Sequence, residues 1–106
     1  MNKTTDHVLE LVVFELADGV TQEEFLPVAD TVSEWVRTQP GFQSRELSYS
    51  AETDKYVEVV HWDTLAEAVA ANAASETSDA CLPMFGMLAL ESATFLHTEP
   101  LRTVAA

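Results

Sequence analysis

The chain has 106 residues, 47% of them hydrophobic, and its 18 acidic residues outweigh 5 basic ones to give a net charge of −13. This length and composition argue against disorder and predict one domain over residues 1–106, with a core at about residues 7–101. The negative charge repels nucleic acid and anionic membrane surfaces, which argues against both as partners.

Two further features bear on the compartment of the protein. No apolar stretch approaches the ~20 residues that span a bilayer, and residues 1–6 are polar, unlike a leader peptide. The single cysteine, Cys81, excludes an internal disulfide and a cysteine-based metal cluster. We therefore expect a soluble cytoplasmic protein.

Residues 7–16 are predicted to form the first strand. One face carries Leu9, Leu11 and Val13, and the other carries Val8, Glu10, Val12, Phe14 and Leu16. Apolar side chains on both faces are typical of a central strand that is covered on both sides.

A first helix is predicted after the turn at residues 17–19. Thr21 and Glu24 form a capping-box pattern, in which each side chain bonds the backbone N–H of the other residue. The apolar stripe of this helix consists of Phe25, Val28, Ala29, Val32, Trp35 and Val36. The Gln-Pro-Gly sequence at residues 39–41 is predicted to end it.

The remaining elements are predicted as a second strand at residues 42–50, a turn at 51–54, a third strand at 55–62, a second helix at about 65–74, a short helical piece at 80–87 and a fourth strand at 91–100. The second strand is polar, as expected at the edge of a sheet. Thr64 and Glu67 repeat the capping-box pattern at the start of the second helix, which is built mainly of alanine.

The element order β-α-β-β-α-(α)-β predicts an α+β, ferredoxin-like fold, a four-stranded antiparallel sheet with helices on one face. Right-handed crossovers place the third and fourth strands on either side of the first, and the second strand beside the third. The first strand is apolar on both faces, yet the chain has no spare element for the second face. A second copy of the chain is predicted to cover it, which gives a homodimer.

Several motifs resemble those of a known family. The Pro-Gly-Phe turn at residues 40–42, the polar strand after it and the sequence VEVVHWDTLAEA at residues 57–68 are similar to the antibiotic-biosynthesis-monooxygenase-like family. The resemblance covers about residues 8–100 and implies a dimeric α+β barrel. Members of that family include cofactor-independent oxygenases acting on polyketide aromatics or quinols, haem-degrading enzymes and many proteins of unassigned role.

The haem-degrading branch of that family can be tested on individual positions. Its pattern has an Asn late in the first strand, a Trp within the second helix and a His about ten residues further on. This chain has Val12, Ala71 and Cys81 at the corresponding positions. The resemblance therefore argues against haem degradation.

Glu10 and His97 form the first candidate catalytic pair. If the first and fourth strands pair antiparallel, the two side chains fall close to opposite each other on one face. A carboxylate beside an imidazole orients the ring and raises its basicity, as a general base requires. The alternative is a pair at the sheet margin whose members only satisfy each other, or two exposed side chains.

Glu58 is the third candidate catalytic residue, because it shares an apolar strand face with Val60 and Trp62. A carboxylate in such surroundings is costly unless it has a partner. It is either an acid or base in a pocket, or a structural group bonded to a partner such as Arg45 on the second strand.

Four residues are candidates for the substrate pocket: Trp62, Phe14, Val12 and Asn72. Trp62 and Phe14 offer flat walls for an aromatic substrate, and Asn72 is placed to orient a substrate oxygen. The alternatives are that Trp62 only fills the core where strand meets helix, and that Asn72 is exposed.

We expect neither a metal nor a cofactor. The three histidines show no HxH or HxxxH spacing, and no phosphate loop, nucleophile elbow, flavin fingerprint or nicotinamide fingerprint appears. The one metal alternative is a triad of Glu10, Glu58 and His97 from separate strands. His61 is expected to face away from Trp62, and His7 to be exposed.

Two functions follow from these features. The first is a cofactor-independent monooxygenase acting on an aromatic or quinol-like substrate, with Glu10 and His97 as base and Trp62 and Phe14 as walls. The second is a non-catalytic dimeric module that binds a metabolite in the same cavity or has a structural role. A packed cavity, with Trp62 touching Phe14, would favour the second.

Overall fold

The computed structural model describes residues 7–106, so the polar start at residues 1–6 lies outside the described residues. Four strands form one antiparallel sheet: β1 (Val8–Phe14), β2 (Phe42–Ser50), β3 (Lys55–Trp62) and β4 (Thr94–Thr98). Their order in the sheet is β2-β3-β1-β4, which confirms the predicted ferredoxin-like arrangement. The helices are α1 (Gln22–Val36), α2 (Leu65–Ser75) and α3 (Leu82–Phe85). Within this range no helix is both long and apolar enough to cross a membrane.

Several predicted boundaries are wrong, and for three of them the hydrogen bonding shows a local cause. β1 ends at Phe14 rather than at residue 16, because residues 15–17 bond instead to residues 87–89, with the Ala17 N–H donating to the Met87 carbonyl at 2.8 Å. β4 begins at Thr94 rather than at residue 91, because Leu90–Ser92 forms a 3₁₀ turn.

α1 ends at Val36, three residues before the predicted stop. The N–H groups of Thr38 and Gln39 donate to the carbonyls of Trp35 and Val36, three residues back, which closes the helix as a tight turn. The Thr38 hydroxyl also donates to the Trp35 carbonyl at 2.6 Å and competes for that acceptor. The predicted short helix at residues 80–87 is likewise regular only over Leu82–Phe85.

The two capping boxes differ. The one at Thr21 is complete, with both reciprocal bonds to Glu24 present. At Thr64 the side chain accepts the Glu67 N–H at 3.1 Å, but the Glu67 carboxylate accepts from the Thr64 hydroxyl rather than from the backbone, so this part of the prediction is wrong. The Glu67 side chain packs against Gly41, which has a φ of +83° and no room for a Cβ atom.

The helices cover one face of the sheet and bury its side chains in two clusters. One cluster surrounds Trp62, and the other surrounds Phe14 and is joined by Phe25 of α1. Aromatic contacts hold the second cluster together, with the Phe14 and Tyr56 rings stacked at 5.5 Å.

The opposite face of the sheet, called the outer face, is apolar and half-exposed. Its partly exposed side chains are Leu9, Leu11, Val13, Val57, Val59 and Leu96. His61 lies on this face, on the side of β3 opposite Trp62, as expected. The Nδ1 atom of His61 lies 2.6 Å from the Nε2 atom of His7. His7 is half-buried, so the expectation that it is exposed is wrong.

Candidate functional site

The space between the sheet and the helices contains a cavity of about 300 Å³. All four predicted pocket residues line it: Trp62, Phe14, Val12 and Asn72. Its remaining wall is mainly apolar and includes Trp35 of α1 and Phe95 of β4. The cavity exists partly because α2 presents small side chains, such as Ala71, to the sheet, where a larger residue would fill the space.

Two of the three candidate catalytic residues also line this cavity, Glu10 and Glu58. His97 does not belong to the lining. The two carboxyl groups lie on neighbouring strands, because Glu10 is opposite Val60 and Glu58 is opposite Val12. The sheet face therefore supplies the polar floor of a cavity whose other walls are mostly hydrocarbon.

The register of β1 and β4 places Glu10 opposite His97. Glu10 Oε1 and His97 Nε2 lie 3.5 Å apart, and the two side chains are 13% and 17% exposed. The distance is at the limit of a hydrogen bond and the geometry does not form one, so Nε2 is buried without a bonded partner. His97 thus lies beside Glu10 on the same sheet face and does not itself line the cavity.

Burial controls the protonation of this pair. Loss of solvent, and after it the nearby Glu58 charge, raise the pKa of Glu10 from 4.5 to about 7 against smaller opposing effects of a hydrogen bond from the Trp62 indole and of the Arg45 charge. Burial also lowers the pKa of His97. Near neutral pH the imidazole is uncharged and the Glu10 carboxyl is partly protonated, so the contact is not an ion pair.

Glu58 is hydrogen-bonded to Arg45, which the sequence analysis had suggested as its structural partner. Arg45 Nε donates to Glu58 Oε2 at 2.6 Å, with the side chains 5% and 12% exposed. Arg45 Nη1 also donates to the Ala29 carbonyl at 2.9 Å and to the Ser33 hydroxyl at 2.6 Å. Arg45 therefore ties two strands to α1, a role that no sequence pattern had indicated, because it depends on how α1 crosses the sheet.

Trp62 is a core residue that also lines the cavity. Its side chain is 2% exposed and packs edge-on against Phe42, with ring centroids 5.8 Å apart, as a core residue does. It also lines the cavity, and its indole Nε1 is buried without a hydrogen-bond partner. The indole N–H lowers the pKa of the Glu10 carboxyl as a hydrogen-bond donor does. The two groups nevertheless fall short of the geometry of a standard hydrogen bond.

The predicted metal alternative has no support in the arrangement of ligands. Among residues 7–106, no group of three or more His, Cys, Asp or Glu side chains is arranged to hold a metal ion. Glu58 is engaged by Arg45, and His97 lies outside the cavity that the two carboxyl groups share.

Solved structures share this fold. SnoaB, a cofactor-independent oxygenase from Streptomyces nogalater, matches in a mutant form with a TM-score of 0.75 and 18% identity over 95% of this chain and 99% of that chain. A candidate antibiotic biosynthesis monooxygenase from Chloroflexus aurantiacus matches with a TM-score of 0.67 and 14% identity over 93% and 97% of the two chains. The chain has the antibiotic-biosynthesis-monooxygenase-like fold.

Two other solved structures with this fold are a protein of unknown function and an enzyme that is not an oxygenase. A dimeric ferredoxin-like protein of unknown function from Thermobifida fusca has a TM-score of 0.70 and 15% identity over 89% of this chain and 91% of that one. A hydroxynitrile lyase from Passiflora edulis has a TM-score of 0.69 and 10% identity over 96% and 100%. No protein-family model and no curated protein matches the chain. The fold hosts more than one reaction, so the function must be argued from the site.

Proposed function

We propose that the protein is a cofactor-independent monooxygenase that oxidises an aromatic, quinol-like substrate in the cavity between sheet and helices. The observation that carries this proposal is the Glu10 carboxyl, which lines an otherwise largely apolar cavity and has a pKa of about 7. A group of this kind removes and returns protons at neutral pH, which is what an enzyme without a cofactor needs. The fold shared with SnoaB supports the same reaction class.

The reaction begins with a proton transfer to Glu10. Ionised Glu10 takes the proton of a substrate hydroxyl, and the resulting anion carries negative charge on a ring carbon. That carbon bonds to O₂ as a peroxide anion, protonated Glu10 returns the proton, and the hydroperoxide loses water to leave a carbonyl. One oxygen atom enters the product and the other leaves as water. The apolar walls exclude bulk water while this occurs.

His97 is a positioning residue in this scheme. Its Nε2 lies 3.5 Å from the Glu10 carboxylate, and its side chain does not line the cavity. An uncharged imidazole there accepts a hydrogen bond from the protonated carboxyl once the two approach, which holds the carboxyl in place between its two proton transfers.

Oxygen consumption tests the proposal. With 1,4-dihydroxynaphthalene as substrate, we expect uptake of one O₂ for each 2-hydroxy-1,4-naphthoquinone formed, at a rate above spontaneous oxidation in the same buffer. Binding of the quinol without faster uptake would contradict the oxygenase proposal and favour the metabolite-binding module.

We also propose that the protein is a homodimer joined through the outer face. Six apolar side chains of this face remain partly exposed, and Leu96 among them is 39% exposed. A contiguous apolar sheet face of this kind marks an interface. The ferredoxin-like protein from Thermobifida fusca is described as dimeric, which supports a dimer.

A further inference from the structure

Two histidines meet on the outer face, apart from the cavity. His7 Nε2 lies 2.6 Å from His61 Nδ1, and the two ring centroids are 4.9 Å apart at an interplanar angle of 36°. The residues are 54 positions apart in the chain. The pairing of β1 with β3 brings them together, because Leu9 is directly opposite His61 and His7 lies just before it in the chain. Neither histidine belongs to the cavity lining.

The apolar character of the outer face does not explain this pair. His61 follows Val57 and Val59 along the same face of β3, so a valine at position 61 would continue the apolar surface. Both imidazoles are instead half-buried, each with a polar ring atom directed at the other. Packing alone would therefore not require a histidine at this position.

The contact directs two ring nitrogens at one point. In a hydrogen bond between two neutral imidazoles, one ring nitrogen donates its proton and the other accepts it. When a metal ion replaces that proton, both nitrogens become ligands of the same ion. Nitrogens bound to one ion at about 2.0–2.1 Å lie about 3 Å apart, so the rings need to separate by only about 0.5 Å from the 2.6 Å of the hydrogen-bonded pair.

The donor atoms select the kind of ion. Imidazole nitrogen prefers Cu²⁺, Ni²⁺ and Zn²⁺, whereas Mg²⁺ and Ca²⁺ prefer oxygen ligands. Within residues 7–106 no third His, Cys, Asp or Glu side chain completes a metal-binding group, so water molecules are expected to fill the remaining coordination positions. The net charge of −13 attracts cations to the protein.

We propose that His7 Nε2 and His61 Nδ1 form a two-imidazole binding site for a divalent transition-metal ion, with Cu²⁺ held more tightly than Zn²⁺. The bound ion joins the residue before β1 to the end of β3. The site is complete within one chain and lies outside the cavity, so it does not depend on the proposed oxygenase reaction. No HxH or HxxxH spacing indicates it, because its two ligands are far apart in the chain.

Nuclear magnetic resonance of ¹⁵N-histidine-labelled protein tests the site, with Zn²⁺ as the probe. We expect one equivalent of Zn²⁺ per chain to shift Nε2 of His7 and Nδ1 of His61 as metal coordination does. The proton then stays on the other nitrogen of each ring. The chain has three histidines, and the third, His97, is the internal control whose nitrogens are expected to remain unshifted. Mg²⁺ at the same concentration is expected to shift none of them.

Affinities for Cu²⁺ and Zn²⁺ from calorimetry provide the second readout. His61→Val and His7→Gln are each expected to weaken Zn²⁺ binding about tenfold or more, because each removes one of the two ligands. His97→Gln is the matched control, and we expect its affinity for Zn²⁺ to stay within about twofold of the wild type. Should His61→Val fail to fold, the wild-type spectra and His7→Gln still decide the question.

Several outcomes would overturn the site. Zn²⁺ that leaves the His7 and His61 nitrogens unshifted would do so, and so would coordination through the other nitrogen of either ring. Wild-type affinity in both His61→Val and His7→Gln would place the ion on other side chains. Half an equivalent of Zn²⁺ per chain would contradict a site that one chain completes. None of these measurements involves oxygen uptake, so the oxygenase proposal stands or fails separately.

Discussion

Glu10 is the residue on which the proposed chemistry depends. It lines the cavity with a pKa raised to about 7, whereas His97 lies beside it and outside the lining. We expect Glu10→Gln to lower kcat for 1,4-dihydroxynaphthalene by about 10²-fold or more, which is the usual contribution of a general base. His97→Gln is expected to lower kcat less and to leave KM unchanged, because the imidazole does not touch the substrate. Steady-state oxygen uptake measures both.

The comparison of these two variants assigns the base. If His97→Gln abolished uptake while Glu10→Gln retained it, the histidine would be the base and the assignment to Glu10 would be wrong. Circular dichroism of each variant shows whether it is folded.

The raised pKa of Glu10 also predicts a pH-dependent stability difference. A carboxyl whose pKa is 4.5 in the unfolded chain and about 7 in the folded one is protonated in both states at low pH. As the pH rises from 4.5 to 7, only the unfolded state loses the proton, so the wild type loses stability over this window. The loss is complete above about pH 7 and approaches about 3 kcal/mol, at 1.4 kcal/mol per pKa unit.

Glu10→Gln removes this titration. We expect the variant to equal the wild type in free energy of unfolding at pH 4 and to be more stable at pH 8, as measured by urea denaturation. A variant that is less stable than the wild type at pH 8 would show that Glu10 is ionised at little cost in the folded protein.

At the scale of elements, the Arg45–Glu58 pair connects β2, β3 and α1 along the edge of the cavity. Removing one member of a buried pair leaves the other charge uncompensated, which costs about 3–5 kcal/mol. We expect Arg45→Met and Glu58→Leu each to lower the free energy of unfolding by about 3 kcal/mol, and the double variant to lose less than the sum. The exposed pair of Lys55 and Glu15, 3.5 Å apart, is the control, since Lys55→Met should cost less than about 1 kcal/mol. Additive losses at positions 45 and 58 would contradict the coupling.

The elements also show how far the sequence predicts this structure. β2 and β3 were predicted to the residue, because β3 is rich in β-branched and aromatic residues and clear turns bound both strands. The start of β4 was predicted three residues too early, because Leu90–Ser92 forms a 3₁₀ turn and the strand begins only at Thr94. The end of α1 was missed because a threonine hydroxyl competes for its last carbonyls.

The site was predictable only where it follows from strand register. The predicted strand order makes β1 and β4 neighbours, and the structure shows the register that places Glu10 opposite His97. That His97 lies outside the cavity was not predictable, because it depends on how far the helices extend over the edge strand β4, where Phe95 is still 44% exposed. The partners of Arg45 on α1 depend on the same helix placement.

At the scale of the whole molecule, the outer face predicts the assembly. We expect sedimentation of the wild type at micromolar concentration to give twice the mass of one chain. Leu11→Lys, in the middle of the outer face, is expected to give a folded monomer, because a buried ammonium without a partner is costly. Leu101→Lys, at a residue that is 87% exposed, is the matched control and should remain a dimer. A wild-type protein that sediments as a monomer would rule out this interface.

The fate of molecular oxygen tests the central claim most directly. The protein is given 1,4-dihydroxynaphthalene under ¹⁸O₂, and the product is analysed by mass spectrometry beside the Glu10→Gln variant. We expect 2-hydroxy-1,4-naphthoquinone that carries one ¹⁸O atom, formed faster than in buffer, with this acceleration lost in the variant. Unlabelled quinone with hydrogen peroxide, or the same rate from the Glu10→Gln variant, would contradict a monooxygenase whose base is Glu10.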